Sequence, residues 1–250
     1  MNIIINGACG KMGQQIASLI NDGFRDSSIA ALSDIRAKED SNIYNDLNKY
    51  SGTADCIIDF SYHTATPTLL EYAIKRNIPV VLATTGHDKA ELAKIREATE
   101  KIPIFFASNM SLGVALLINL AKTAAIAFPD ANIEIIEKHH NQKLDVPSGT
   151  AKTIAEELLS VSEKRDSMLV GRHEDGLRLP KEIGVHAIRA GNIIGEHEVI
   201  IATNTQIITL KHEAQSRSLF AEGALTAAYF LMGKPCGLYG MKELIGGDKA

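Results

Sequence analysis

The sequence from Asn2 to Gly13, NIIINGACGKMG, decides the fold of the chain. Its first half is a short β-branched run, and its second half is a Gly-rich loop that leads at once into a helical pattern. A strand, a Gly-rich turn and a helix in this order let backbone N–H groups approach a pyrophosphate at the helix N-terminus, where the dipole favours negative charge. The glycines follow the spacing GxxGxxG rather than the commoner GxGxxG, so the dinucleotide-binding fingerprint is only partly met.

The residues that follow the second predicted strand support the same interpretation. Asp34 lies about 20 residues after the glycine loop, where a carboxylate can bind ribose hydroxyls. Arg36 follows closely and can instead meet a 2′-phosphate. The alternative is a tight Gly turn with no ligand, but the context favours a dinucleotide, and NADH and NADPH both stay open.

The first part of the chain alternates short β-branched runs with helical patterns. The predicted strands lie at 2–6, 29–33, 56–60, 80–83 and 104–107, and the predicted helices at 11–20, 64–76 and 89–101. This rhythm predicts an α/β, Rossmann-like domain in which crossover helices connect a parallel sheet. A largely buried helix is predicted at 111–128, and Pro129 ends it.

After Pro129 the pattern changes to a run of strands. These are predicted at 133–137, 184–190, 194–203 and 206–211, with a helix at 150–161, and their short connections favour an antiparallel or mixed sheet. We therefore predict an α+β substrate-binding and oligomerisation domain at 109–215. The helix predicted at 216–230 most simply packs back on the first domain, so the dinucleotide-binding domain is predicted to be discontinuous, 1–108 and 216–250.

Composition limits the classes of partner and the compartment. The formal net charge is −4 and the basic residues are scattered, which argues against nucleic acid and anionic membranes as partners. The first twenty residues contain only the short apolar run at 3–5, too little for a signal-peptide core, and no later stretch reaches the length of a membrane span, so we expect a cytoplasmic protein. Cys9, Cys56 and Cys236 lie far apart without CxxC spacing, so we predict neither a disulfide nor a zinc site.

Two further segments of small polar residues end predicted strands. They are Ala83-Thr84-Thr85-Gly86 and Ala107-Ser108-Asn109-Met110. Ligands in open α/β folds collect at the carboxyl edge of the sheet, so both segments are placed to hold a nicotinamide ring and its carboxamide. Taken singly, each segment also fits ordinary turn chemistry.

The densest group of reactive side chains is EKHHNQKLDVPSGTA at 137–151. The residues that begin its predicted helix, and whose backbone N–H groups form a candidate anion site, are Ser148, Gly149 and Thr150. The cationic and proton-donating residues just before them are His139, His140 and Lys143. Each of these fits a bland surface role when taken alone, but together, in a chain of net negative charge, they predict a small anionic substrate. A metal is the weaker reading, because adjacent strand histidines point to opposite faces and the nearby carboxylates lack a ligand spacing.

With these residues in place, the chain resembles the 4-hydroxy-tetrahydrodipicolinate reductase family, also called dihydrodipicolinate reductase, over essentially its full length. The pattern E-x-HH-x-x-K-x-D-x-PSGTA is highly specific to that family. Further agreement lies, in order along the chain, in GACGKMG, DFS, ATTG, SNMS, IRAGNIIGEHEV and GKPCGLYGMKEL.

The resemblance implies an NADH- or NADPH-dependent oxidoreductase of diaminopimelate and lysine biosynthesis. Such an enzyme reduces a small cyclic dicarboxylate, 4-hydroxy-tetrahydrodipicolinate, to tetrahydrodipicolinate with loss of water. The resemblance also implies a substrate domain that closes over the cleft, and a homotetramer built through the sheet of that domain. The segment at 33–36 varies within the family, so cofactor preference stays open.

Roles carry over from the family residue by residue. His139 matches the acid–base histidine and Lys143 the proton donor, while His140, Gly149 and Thr150 match substrate-binding positions. The positions that match cofactor-binding residues are Gly7, Ala8, Cys9, Gly10, Lys11, Met12, Asp34, Ala83, Thr84, Thr85, Ala107, Ser108, Asn109 and Met110.

Two other functions fit part of the sequence less well than the reductase function does. A semialdehyde dehydrogenase shares the nucleotide loop but needs a cysteine nucleophile in its catalytic domain, and none of the three cysteines lies in 109–215. A regulator that binds the dinucleotide without catalysis would leave the HH-x-x-K-x-D-x-PSGT cluster without a purpose. Arg189 is left with two readings, a substrate contact or a pair across the sheet.

Overall fold

A computed structural model describes residues 1–38 and 41–246 of the chain. The chain divides into two compact units. The first consists of Met1–Ser111 together with the chain from Ser218 onward, and the second is Leu112–Arg217. The two division points lie within three residues of the predicted domain boundaries.

The strands and helices of the described residues have the following bounds. The strands are β1 (Asn2–Asn6), β2 (Ser28–Ser33), β3 (Cys56–Asp59), β4 (Val80–Leu82), β5 (Pro103–Phe106), β6 (Asn132–His139), β7 (Ser167–Val170), β8 (Glu182–Arg189), β9 (Glu196–Ala202), β10 (Ile207–Glu213) and β11 (Gly237–Tyr239). The helices are α1 (Lys11–Asn21), α2 (Thr66–Arg76), α3 (Lys89–Thr99), α4 (Leu112–Ala127), α5 (Gly149–Ser160), α6 (Ser218–Leu231) and α7 (Met241–Leu244).

The first unit is built on a six-stranded, entirely parallel sheet in the order β11-β5-β4-β3-β1-β2. This confirms the predicted Rossmann-like sheet. Helices cover both faces, so the central strands are continuous apolar runs rather than alternating ones. Ile5 of β1 packs in one buried cluster with Leu225 of α6, whereas Ile4 packs in the other with Leu69 of α2.

The second unit contains a five-stranded sheet in the order β10-β9-β6-β8-β7. Its central strand β6 runs parallel to β8 and antiparallel to β9, so the sheet is mixed, as predicted. The odd-numbered residues of β6 are buried, and Ile133 and Ile135 pack in one cluster with Leu117 of α4 and Ile154 of α5. Because side chains alternate along a strand, Glu137 and His139 point to this same helix-covered face.

Several elements differ from the sequence prediction. The strands β7 and β11 and the short helix α7 were not predicted, because β7 is exposed and lacks alternation and the other two are only three and four residues long. β6 continues to His139 rather than ending at 137, which carries that histidine into the sheet. Among the described residues no helix combines the length and the apolar character that a membrane span requires.

Candidate active site

The Gly-rich loop between β1 and α1 is packed too tightly to accept side chains at two of its glycines. Gly7 has a φ of +84°, and a Cβ there would lie 2.6 Å from the carbonyl oxygen of Phe60. A Cβ on Gly13 would lie 2.4 Å from the carbonyl oxygen of Gly7. The first-turn amides of a helix have no intrahelical acceptor, and α1 follows Gly10 without a side-chain cap. These amides are therefore suited to bind a phosphate.

Asp34 and Arg36 form an ion pair beside this loop. The Asp34 carboxylate accepts hydrogen bonds from Arg36 Nε and Nη2, each at 3.0 Å, and from the backbone N–H groups of Cys9 and Arg36. The bond from the Arg36 side chain is the main cause that lowers the pKa of Asp34, and it outweighs burial. The Arg36 side chain is 65% exposed, whereas that of Asp34 is only 4% exposed, so the arginine covers the carboxylate.

A cavity of about 890 Å³ opens at this point of the first unit. Residues that line it include Gly7, Asp34, Arg36, Asn45, Phe60 and Tyr72. Ligand pockets commonly measure about 300–1,000 Å³, so this volume suits the adenosine side of a dinucleotide. The glycine loop, the uncapped helix start and the acidic residue therefore fit the group predicted from the sequence.

A buried carboxylate, Asp59, organises the carboxyl ends of β1, β3 and β4. It accepts hydrogen bonds from Asn6 Nδ2 and Thr84 Oγ1, each at 2.8 Å, and from the Ser61 N–H at 3.1 Å. Burial raises the pKa of Asp59, and these hydrogen bonds oppose the shift. Thr84 is thus held in place by its side chain, whereas Thr85 beside it is exposed.

The other residues predicted to contact the nicotinamide differ in accessibility. Ser108 is exposed and Asn109 is half-buried, and the Asn109 side-chain oxygen accepts from the Ser111 N–H at 2.9 Å. Ala83 and Met110 are buried, and the Ala83 N–H donates to the backbone carbonyl oxygen of Asp59 at 3.0 Å. None of these residues lines the cavity described above.

In the second unit, Glu137 and His139 form a dyad on the buried face of β6. Glu137 is completely buried and accepts from His139 Nδ1 at 2.6 Å. Both of its oxygens also accept from the guanidinium of Arg189, at 2.7 and 2.8 Å. Arg189 therefore pairs across the sheet, from the β8 position that is in register with His139.

The start of α5 is held by groups of the chain itself. The Ser148 N–H donates to Glu137 Oε1 at 2.9 Å, and the Ser148 hydroxyl accepts from the Ala151 N–H and meets His197 Nε2 at 3.1 Å. The Gly149 N–H lies close enough to the Asp145 carboxylate to lower its pKa. The sequence predicted free amides here, and for Ser148 the structure differs, because Glu137 already accepts from its N–H.

Lys143 and His140 lie in the loop between β6 and α5. Lys143 Nζ contacts Asp145 Oδ1 at 2.8 Å, and this bond is the main cause that lowers the pKa of Asp145. The Lys143 side chain is 23% exposed, and His140 and Thr150 are half-buried. The loop thus places the Lys143 ammonium group next to the Asp145 carboxylate, just before the start of α5.

His197, to which the sequence analysis assigned no role, completes the buried cluster. Its ring centroid lies 5.3 Å from that of His139, in an edge-to-face arrangement. Burial lowers the pKa of His197 to about 4, and the electrostatic effect of His139 adds to this. Its Nδ1 atom is buried without a hydrogen-bond partner among the described residues.

Sequence reasoning assigned no role in this site to Glu137 or His197, and for Arg189 the structure shows one of the two interpretations, a pair across the sheet. The signal for Glu137 was its spacing, since it lies two and four residues after the buried Ile135 and Ile133 and hence on the same face. A carboxylate at a core position needs partners. The partner on β8 is distant in sequence, so strand pairing had to be known before it was identified. Among the described residues, no three His, Cys, Asp or Glu side chains are placed to hold a metal ion.

Comparison with known proteins gives concordant results for both units. Residues 1–110 match the family model described as "Dihydrodipicolinate reductase, N-terminus" and residues 113–245 match "Dihydrodipicolinate reductase, C-terminus". The chain is 46% identical over 246 residues to the 4-hydroxy-tetrahydrodipicolinate reductase of Caldanaerobacter subterraneus subsp. tengcongensis, covering 98% of each chain. It is 44% identical to the enzyme of the same name from Clostridium novyi, covering 97% of each.

A solved structure supports the fold. The dipicolinate-bound dihydrodipicolinate reductase from Paenisporosarcina sp. TG-14 superposes with a TM-score of 0.80 at 23% identity, covering 98% of this chain and 99% of that one. At this identity the likeness establishes the fold alone.

Proposed function

This chain belongs to the dihydrodipicolinate reductase family, and on that basis we propose how its residues reduce 4-hydroxy-tetrahydrodipicolinate to tetrahydrodipicolinate. One hydride and one proton enter the substrate and one water molecule leaves it, in the diaminopimelate branch of lysine biosynthesis. The observation that carries the proposal is that the family's most specific segment folds into one cluster. In it, His139, Lys143 and the start of α5 are linked through the carboxylates of Glu137 and Asp145.

Substrate binding is assigned to the loop before α5 and to its first residues. Lys143 already pairs with a carboxylate, that of Asp145, and the Gly149 N–H lies beside it, so both have the chemistry to bind one carboxylate of a cyclic dicarboxylate. Thr150 and His140 are half-buried and supply further donors. Ser148 is assigned a supporting role, because its N–H and hydroxyl are engaged inside the chain.

Proton delivery is assigned to His139 and Lys143. When bound, the reduced dinucleotide supplies the hydride. Hydride addition to a conjugated imine builds negative charge on nitrogen or carbon, and an acid within reach must neutralise it. Glu137 occupies His139 Nδ1, which leaves Nε2 as the nitrogen that exchanges a proton with substrate.

Cofactor binding is assigned to the loop from Gly7 to Met12, to Asp34, and to the two strand-end segments at 83–85 and 107–110. A ribose hydroxyl reaches the Asp34 carboxylate only when Arg36 moves away, and an arginine so released can bind a 2′-phosphate. We therefore propose that both NADH and NADPH are accepted. Arg36→Ala is expected to raise KM for NADPH at least about fivefold with little change for NADH, and equal effects on both would contradict this arrangement.

The central experiment is an assay with freshly generated substrate, run with NADH and NADPH in parallel. We expect substrate-dependent loss of nicotinamide absorbance. His139→Gln should mainly lower kcat, whereas Lys143→Ala should lower kcat and raise KM, because Lys143 also binds the substrate carboxylate. Activity of both variants within about twofold of the unsubstituted enzyme would reject these roles. Complete absence of turnover would favour a cofactor-binding regulator.

Assembly and compartment follow the family resemblance. We propose a cytoplasmic homotetramer formed through the sheet of the second unit, where Ile188 is 43% exposed and Ile207 is 68% exposed. Light scattering coupled to size exclusion should give four times the chain mass of 27.0 kDa. A monomer at micromolar concentration would exclude this assembly.

A further inference from the structure

Glu137 is a completely buried carboxylate of the second unit, and the roles assigned above do not include it. Its side chain has an exposed fraction of 0%. Its two oxygens accept four hydrogen bonds, two from Arg189, one from His139 Nδ1 and one from the Ser148 N–H. A carboxylate with all its partners supplied in this way is held in one orientation, and it holds its donors in return.

The charge on Glu137 fixes which ring nitrogen of His139 carries a proton. Burial alone would raise the pKa of Glu137, but hydrogen bonds from His139, Arg189 and Ser148 outweigh it and lower the pKa to about 2. At neutral pH Glu137 is therefore ionised and can only accept hydrogen bonds. His139 must then carry a proton on Nδ1, and its reactive nitrogen is Nε2.

His139 Nε2 is the ring nitrogen without a partner. No described residue forms a hydrogen bond with it, and the side chain is 11% exposed. A Cβ on Gly195 would lie only 3.1 Å from this atom, so a side chain at that position would crowd the nitrogen. The Glu137 contact at the opposite ring nitrogen therefore leaves Nε2, next to Gly195, as the atom that can meet a substrate.

Glu137 also connects the acid to the substrate-binding turn. Through Ser148 it holds the residue that caps α5. Through Arg189, whose Nη2 also donates to the carbonyl oxygen of Asp145, it holds the loop that carries Lys143. One buried carboxylate thus fixes the distance between the proton donor and the groups assigned to the substrate carboxylate.

We propose that Glu137 is the positioning residue of the reduction: it holds His139 as the Nδ1–H tautomer, directs Nε2 to the substrate, and stabilises the doubly protonated ring until the proton is transferred. This inference rests on the proposed function and assigns a role that acts through His139, because Glu137 itself touches neither substrate nor cofactor.

The charges around His139 determine what removing the carboxylate does. They are Glu137 on β6 and Arg189 on β8, and the ring of His197 on β9 lies edge to face with that of His139. The charges of Lys143 and His212 act in turn on the pKa of His197. In Glu137→Gln the shape is kept, but Arg189 becomes an uncompensated cation beside the imidazole. A positive neighbour disfavours the protonated ring, so the variant should lose the acid form at lower pH.

The test compares Glu137→Gln with Glu134→Gln, a matched control on the same strand. Glu134 also binds a histidine, His186 Nε2 at 2.8 Å, and an arginine, Arg178 Nε at 2.9 Å, but on the other face of the sheet. For Glu137→Gln we expect kcat at pH 7.5 to fall about 10-fold to 100-fold and the alkaline limb of the kcat profile to move down by about one pH unit. KM for the dinucleotide should stay within about twofold, and Glu134→Gln should leave all three quantities unchanged.

Two further measurements keep the inference open to refutation. Glu137→Asp, which restores the charge, should recover part of the lost kcat and return the alkaline limb toward its original position. If Glu137→Gln fails to fold, the tautomer is read from 15N shifts of histidine-labelled unsubstituted protein, with His139→Gln to assign the signal. A neutral His139 protonated on Nε2 would overturn the inference.

The outcomes separate this inference from the function on which it rests. Normal turnover with an unmoved pH profile in Glu137→Gln would overturn the positioning role and leave the reductase function intact. Absence of turnover in the unsubstituted enzyme would overturn the function, and the positioning role with it. Retained dipicolinate binding by Glu137→Gln, measured by calorimetry, would show that a loss of kcat is not a loss of the binding site.

Discussion

Strand β6 carries two glutamates with the same kinds of partner on opposite faces of one sheet. Glu137 binds a histidine and an arginine on the helix-covered face and is completely buried. Glu134 binds His186, Arg178 and Arg172 on the other face, and its side chain is 25% exposed. The set of partners is nearly the same, so burial and the nearby start of α5 are what distinguish a candidate catalytic dyad from an ion-pair cluster.

The first test of this difference removes each carboxylate in turn. Glu137→Ala should cost about 3–5 kcal/mol of unfolding free energy, because it leaves Arg189, His139 and the Ser148 N–H buried without their acceptor. Glu134→Ala should cost about 1 kcal/mol or less, because Arg178 keeps backbone acceptors and its surroundings are partly hydrated. Urea unfolding at one protein concentration measures both, and equal losses would show that burial is not the distinguishing factor.

The second-largest effect is expected from acid, which should lower the free energy of unfolding through His197 on the buried face of the sheet. The folded state keeps His197 neutral down to about pH 4, whereas the unfolded chain protonates it near pH 6.5. The unfolded state therefore binds the extra proton between these values, and stability present above pH 6.5 is lost as pH falls. Between pH 6.5 and 4.5 this should remove about 2–3 kcal/mol of unfolding free energy.

The measurement is urea unfolding at several pH values for the unsubstituted protein and for His197→Gln. The glutamine does not titrate, so its stability should fall less over this window, whatever the substitution costs at pH 7.5. Parallel pH curves for the two proteins would show that His197 does not carry the acid sensitivity. Glu137 enters only at lower pH, because its ionised form is lost as pH falls from 4.5 toward about 2.

The two units also differ in how much of them the sequence could predict. In the first, the strand, the glycine loop and Asp34 are close in sequence and each constrains the backbone locally, so the parallel sheet and the loop were predicted from spacing alone. In the second, His139, Lys143 and Ser148 were predicted as site residues because they are close in sequence. The groups that hold them were not, because Arg189 and His197 reach Glu137 only through pairing of β6 with β8 and β9.

At the start of α5 the local sequence pattern was misleading about the backbone amides. Helix geometry predicts unpaired amides there, and the sequence offers no rule for which carboxylate of the chain will occupy them. The buried Glu137 accepts from the Ser148 amide, and the exposed Asp145 lies close enough to the Gly149 amide for its pKa to be lowered. These two carboxylates differ in burial much as the two faces of β6 do, which makes the exposed one the more easily displaced.

The smallest expected effect concerns Asp145, whose side chain is 51% exposed. Under the proposed function its carboxylate competes with substrate for Lys143, so Asp145→Asn should tighten dipicolinate binding about threefold, a gain below about 1 kcal/mol. Asp130→Asn serves as the control, because it removes the same charge from an exposed pair with Lys164 in the same unit. Calorimetry of both variants decides the question: if Asp145→Asn weakens binding, the carboxylate supports the occupied loop rather than holding the place of the substrate.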